Sequence, residues 1–87
     1  MFKVFLKKSA EKFLLSLDKK KRNKILIILK LLEANPIPFK ELDVKKLKGE
    51  RYAFRIRAGK IRIVYHIVFE SQRIIIDKID YRESVYK

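Results

Sequence analysis

Between Tyr52 and Tyr65 apolar and polar residues alternate on both sides of the pair Gly59-Lys60. A Gly-X pair between two alternating runs predicts a two-residue hairpin turn of type II′. That turn sets the register. Ala58 faces Ile61, Ile56 faces Ile63, Phe54 faces Tyr65 and Tyr52 faces Ile67, all on one apolar side. The same register places Arg57 directly opposite Arg62 on the other side, with Arg55 two residues along. Ala53, Val64 and His66 share that second face, which shows no acidic residue near the arginines.

The remaining elements follow from periodicity. Residues 2–7, with Phe2, Val4 and Leu6 alternating, predict an N-terminal strand. Ser9 is an N-cap candidate, and Ala10, Phe13, Leu14 and Leu17 recur at helical spacing. Asp18 opens a second, longer helix whose buried stripe is Ile25, Ile28, Leu29 and Leu32, ended by Pro36 and Pro38. Residues 36–50 read as a lysine-rich loop anchored by Phe39, Leu42 and Leu47. Strands are predicted at 51–58, 61–69 and 73–79, followed by a short tail. The expected fold is α+β: an N-terminal strand, a two-helix hairpin and a three-stranded C-terminal antiparallel sheet, all in one small sheet with the helices on one face. Tyr52, Phe54, Ile56, Ile63, Tyr65 and Ile67 should lie beneath the helices. Residues 1–87 form one domain by length.

Charge narrows the partners. A formal +13 on 87 residues is far beyond what solubility requires and implies a polyanionic partner: nucleic acid, an anionic membrane or an acidic protein. With no cysteine and one histidine, neither a disulfide frame nor a structural zinc site is expected. The longest apolar stretch, Ile25 to Leu32, is interrupted by Lys30 and too short to span a membrane, so the chain reads as cytoplasmic.

Six of the seven arginines lie between residues 51 and 82, whereas most of the sixteen lysines precede residue 49. Arginine offers a planar fork of donors matched to phosphate; lysine offers a hydrated point charge. Like charges directly opposite one another weaken a hairpin. Arg55, Arg57 and Arg62 therefore read as an anion site, against the plainer reading of a solvated outer face. His66 reads as a surface residue, and Asp77, Asp80 and Glu83 as salt-bridge partners of Arg73 or Arg82.

The run Lys46-Leu47-Lys48-Gly49, the stretch Tyr52 to Tyr65 with its Arg-Ile-Arg and Arg-Ile-Val-Tyr strands, and the tail Arg82 to Tyr86 together resemble the RelE/ParE superfamily of toxins from toxin–antitoxin systems. The order of elements matches over nearly the whole chain, and the resemblance is closer to the RelE branch. It implies a ribosome-dependent endoribonuclease that cuts mRNA in the ribosomal A site, without metal or other cofactor. It also implies a cognate acidic antitoxin and contact with operator DNA only through the antitoxin complex. The residues carried over are Arg55, Arg57, Arg62, Arg82 and Tyr86. The RelE pattern has lysines where this chain has Arg55 and Arg57, and its turn before the next basic residue is longer. The alternatives are a ParE-like gyrase inhibitor and a non-catalytic RNA-binding module.

Metal-free RNA cleavage uses the 2′-hydroxyl as internal nucleophile. It needs a base for that hydroxyl, positive charge around the phosphorane and an acid for the leaving 5′-oxygen. Arginine supplies the charge and is a poor base. Tyr86 is the leading candidate for base, or for packing on the RNA. Lys48, Lys60 and Arg51 are candidates for RNA binding.

Overall fold

A computed structural model of the chain describes residues 1–81. Its elements are β1 (Lys3–Leu6), α1 (Lys8–Ser16), α2 (Lys19–Ala34), β2 (Asp43–Lys46), β3 (Ala53–Ala58), β4 (Ile61–Val68) and β5 (Arg73–Tyr81). They build one five-stranded sheet in the order β1-β5-β4-β3-β2, with β1 parallel to β5 and every other pair antiparallel. The α+β class holds, but the expected three C-terminal strands gain a fourth. Asp43–Lys46, read from sequence as loop, pairs with β3 as an edge strand. Only Val44 in it is apolar, so no alternation announces it.

The helices form because their apolar positions fall on one side. Ala10, Leu14 and Leu17 from the first helical segment meet Ile25, Ile28, Leu29 and Leu32 from the second. The connection is a two-residue link, Leu17-Asp18. The Asp18 side chain accepts a hydrogen bond from the Lys21 backbone N–H at 2.9 Å, as its position predicts. Ser9 does not cap α1. The helix starts two residues earlier than that assignment requires, at Lys8, with Lys7 in the cap position and no side-chain cap bond.

Both helices cover one face of the sheet, where Phe54, Ile56, Ile61, Ile63, Tyr65, Ile67, Ile74, Ile76 and Ile79 complete the core. Tyr65 is fully buried, and its hydroxyl donates to the Pro36 carbonyl at 2.8 Å. That satisfies the phenol and fixes the segment leaving α2. Two expectations fail at the margins. Phe39 is exposed, touching Phe54 edge-on, while Pro38 is the buried anchor. Tyr52 is also exposed: its φ of +62° takes it out of the strand, and its ring rests against Phe69.

The β3–β4 hairpin has the predicted register, from Ala58↔Ile61 through Arg57↔Arg62 to Ala53↔His66. Gly59 has φ +62° and Lys60 does not share a positive φ, which is the pattern of a II′ turn. One irregularity matters for the site. β4 and β5 lose register between Val64 and Tyr65: Val64 pairs with Lys78 and Tyr65 with Ile76, leaving Asp77 as an extra residue. This bulge lets Ile76 and Ile79, three residues apart, both enter the core, and it puts Asp77 beside His66.

Candidate nucleic-acid interface

The face of the sheet away from the helices carries Arg55 and Arg57 from β3 and Arg62 from β4. Arg57 and Arg62 stand directly across the hairpin. In a two-residue hairpin the pair next to the closing pair is the type whose side chains approach most closely. Their repulsion is therefore built into the turn chemistry. Register adds Asp43 and Lys45 from β2, opposite Arg57 and Arg55, and Lys78 and Asp80 from β5, opposite Val64 and Arg62.

These carboxylates correct the sequence reading that the arginines lack acidic neighbours. Asp43 Oδ1 lies 3.5 Å from Arg55 Nη2, and Asp80 Oδ1 lies 3.5 Å from Arg62 Nε. Lys78 Nζ reaches Asp80 Oδ2 at 3.4 Å. The partners come from β2 and β5, so they were invisible from the hairpin alone. Asp80 therefore pairs with Arg62 and Lys78, not with Arg73. The Arg73 guanidinium sits over the Phe5 ring at 5.4 Å instead.

The contacts leave the arginines under-used. Charge-assisted N–H···O bonds run at about 2.7–2.9 Å, so separations of 3.5 Å hold the guanidiniums in place without occupying their donors. Arg55 Nε, Arg62 Nε and Asp80 Oδ1 are buried and find no hydrogen-bond partner among the described residues. Arg57 has no carboxylate within ion-pair distance among those residues either. Leaving buried donors of a charged group unsatisfied is costly. Both Nε atoms are shielded, so an oxyanion over the hairpin would meet the exposed parts of these side chains, 12% for Arg55 and 21% for Arg62. With five cations against two carboxylates around it, the patch stays positive.

The other candidate residues flank this patch. Lys48 and Arg51 lie in the loop before β3, where they line a concavity of about 550 Å³ with Lys45 and Lys46. Arg51 also stacks at 5.9 Å on the exposed Tyr52 ring. Lys60 is at the opposite end of β3, in the exposed turn, near Lys21 and Lys24 of α2 around a cavity of about 170 Å³. Together they extend the basic track along β3, roughly 20 Å for its six residues. Arg82 and Tyr86 lie outside the described residues, and so does Glu83. Tyr65 is no substitute for Tyr86 as a base, because burial pushes its phenol well above the ordinary value.

One cluster was missed from sequence. His66 Nδ1 lies 2.7 Å from Asp77 Oδ2, and Lys7 Nζ holds the other oxygen of Asp77 at 2.9 Å. The signal was present: the adjacent charges Asp77-Lys78 between Ile76 and Ile79 break strand alternation and mark a bulge.

Known proteins share this arrangement of elements. No family model matches the chain. A protein of Methanocaldococcus jannaschii carrying the name toxin RelE1 is 37% identical over 86 residues, covering 99% of this chain and 96% of its own length. The RelE–RelB complex of Pyrococcus horikoshii OT3 contains a chain that superposes with a TM-score of 0.84 at 31% identity, over 93% of this chain and 94% of that one. The antitoxin–toxin complex RelB–RelE of Methanococcus jannaschii gives 0.76 at 27% identity, over 94% of each chain.

Proposed function

The chain belongs to the RelE family of toxins of toxin–antitoxin systems, and from that premise we propose that it is a ribosome-dependent endoribonuclease that cuts mRNA in the ribosomal A site and so inhibits translation. The observation that carries this reading is the set of three arginines on the open face of the hairpin, two of them held by carboxylates only at 3.5 Å. Positive charge preorganised around the scissile phosphate is stronger in the transition state, where the phosphorane gains negative charge. Arg62 is the central donor, across from Arg57, with Arg55 on the adjoining position of β3. Arg82 and Tyr86 complete the proposed set by resemblance, Tyr86 as base or as a ring packed on RNA. Lys48, Lys60 and Arg51 steer the RNA backbone on either side.

The ribosome is the positioning partner in this reading. Free RNA would be cut poorly, because the patch is open and does not by itself fix a near-attack geometry. The whole of residues 1–87 acts as one domain, in the cytoplasm with the ribosomes. A surface this basic also suits an acidic antitoxin that folds over it, and the two archaeal relatives of known structure are each complexes with RelB. Operator DNA would be met only through that complex.

Primer extension on mRNA from translating ribosomes tests the proposal. Position-specific cuts that need both ribosome and toxin are expected. Intact mRNA together with inhibition of gyrase supercoiling would replace this reading with that of a ParE-like inhibitor.

A further inference from the structure

On the arginine face, toward the start of β3, lies a cleft of about 400 Å³ lined by Leu47, Glu50, Ala53, Val64, His66 and Asp77. Ala53 lies directly opposite His66 in the hairpin and is buried, although it belongs to the open face, where Leu47 and Glu50 of the β2–β3 loop line the same cleft. His66 stands diagonally across from Arg55, whose direct partner is Val64. Diagonal cross-strand neighbours have Cα atoms roughly 7–8 Å apart, close enough for two long side chains to meet one ligand.

The tautomer of His66 follows from its partner. A carboxylate only accepts, so at 2.7 Å from Asp77 Oδ2 the Nδ1 must donate. In the neutral ring, Nε2 then carries the lone pair. Asp77 is itself fixed twice, by its position in the bulge and by Lys7 on its second oxygen at 2.9 Å. A histidine oriented by a carboxylate, with its other nitrogen free to accept, is the arrangement that serves as general base in hydrolytic sites. A solvated surface histidine would need neither a bulged strand nor a lysine-anchored carboxylate.

We infer that His66, oriented by Asp77 and Lys7, is the general base for mRNA cleavage, taking the proton of the attacking 2′-hydroxyl. This rests on the ribonuclease reading above. Nε2 accepts the 2′-hydroxyl proton as the 2′-oxygen forms its bond to the adjacent phosphorus. The bond from phosphorus to the 5′-oxygen breaks, and that oxygen takes a proton from water. The products are a 2′,3′-cyclic phosphate and a free 5′-hydroxyl, and the imidazolium returns its proton to the hydroxide left behind. Arg55 faces the same phosphate. Asp77 of β5 bonds the ring, Lys7 of the turn before α1 holds Asp77, Glu50 of the β2–β3 loop lines the same cleft, and Arg55 of β3 stands diagonally across in the register. Tyr86 is then left to pack on the RNA.

The test is single-turnover cleavage on programmed ribosomes from about pH 5 to about pH 8, the range in which imidazole changes charge. Wild-type cleavage should rise with pH and level off. His66→Gln should lose roughly 10²- to 10⁴-fold in rate and lose the pH-dependent rise, with ribosome binding unchanged. In the intact wild-type protein, nitrogen NMR should show the proton of the neutral ring on Nδ1. A His66→Gln variant that cleaves at the wild-type rate with the same pH profile would overturn the assignment while leaving the ribonuclease reading in place; so would a neutral ring protonated on Nε2. A wild-type protein that cuts nothing on ribosomes would overturn both.

Discussion

The two faces of the β3–β4 hairpin are made of alternate residues in the same strands, and they obey opposite rules. Beneath the helices, Ile56, Ile63 and Tyr65 are fully buried, and the one hydroxyl among them has its acceptor. On the open face, Arg57 opposes Arg62, carboxylates stand at 3.5 Å from Arg55 and Arg62, and two buried Nε–H donors lack partners among the described residues. The first face lowers the free energy of the fold. The second raises it by like-charge contact and incomplete hydrogen bonding, and the strain is tolerable because the first is well packed. The difference separates residues that determine the structure from residues proposed to act through it.

Substitutions on each side sharpen the contrast. The largest stability change is expected at the core. Ile63→Ala should cost about 2–5 kcal/mol in urea denaturation, by lost burial and the cavity left behind. The turn that assigns residues to faces comes next. An added Cβ at Gly59 meets nothing within 4 Å, so Gly59→Ala is penalised only through its φ of +62°. About 1–2 kcal/mol is expected by the same assay.

Tyr65→Phe should cost about 1 kcal/mol through the lost bond to Pro36. It should also change the alkaline limb of stability. Burial raises the phenol above its ordinary value of 10.0 in the folded chain. Above that pH the unfolded chain releases the proton while the folded chain keeps it, so stability falls as pH rises. The contribution is intact below about pH 10 and disappears above it. The Phe variant should lack this slope above about pH 10. The smallest effect belongs to the open face. Arg57→Ala should leave stability unchanged or raise it by about 0.2–1 kcal/mol, because it removes the charge opposite Arg62. A loss comparable to that of Ile63→Ala would mean that the open face is structural after all.

The register of this hairpin was legible because strict alternation and Gly59-Lys60 determine it together. The stripe and cap of α2 were legible because Asp18 and the residues at helical spacing agree with each other. What escaped the sequence depended on residues far apart in the chain. β2 is recognisable only by its pairing with β3, since Val44 alone is apolar in it. Asp43 and Asp80 reach the arginines from strands on opposite flanks. The His66–Asp77–Lys7 contacts join β4, β5 and the turn after β1, and they depend on a bulge whose one mark in the sequence is the adjacent pair Asp77-Lys78. The roles of Arg82 and Tyr86 rest on resemblance, outside the described residues.

In the proposed reaction the arginine face stabilises the charged transition state. Arg62→Ala tests it most directly, because Asp80 keeps Lys78 at 3.4 Å and the helix-covered core is untouched. Primer extension of ribosome-bound mRNA should show cleavage reduced roughly 10²- to 10³-fold, the loss expected for one preorganised donor to a charged transition state, with the thermal unfolding midpoint unchanged. Arg55→Ala and Arg57→Ala should fall less. Full ribosome-dependent cleavage by a folded Arg62→Ala protein would contradict the account.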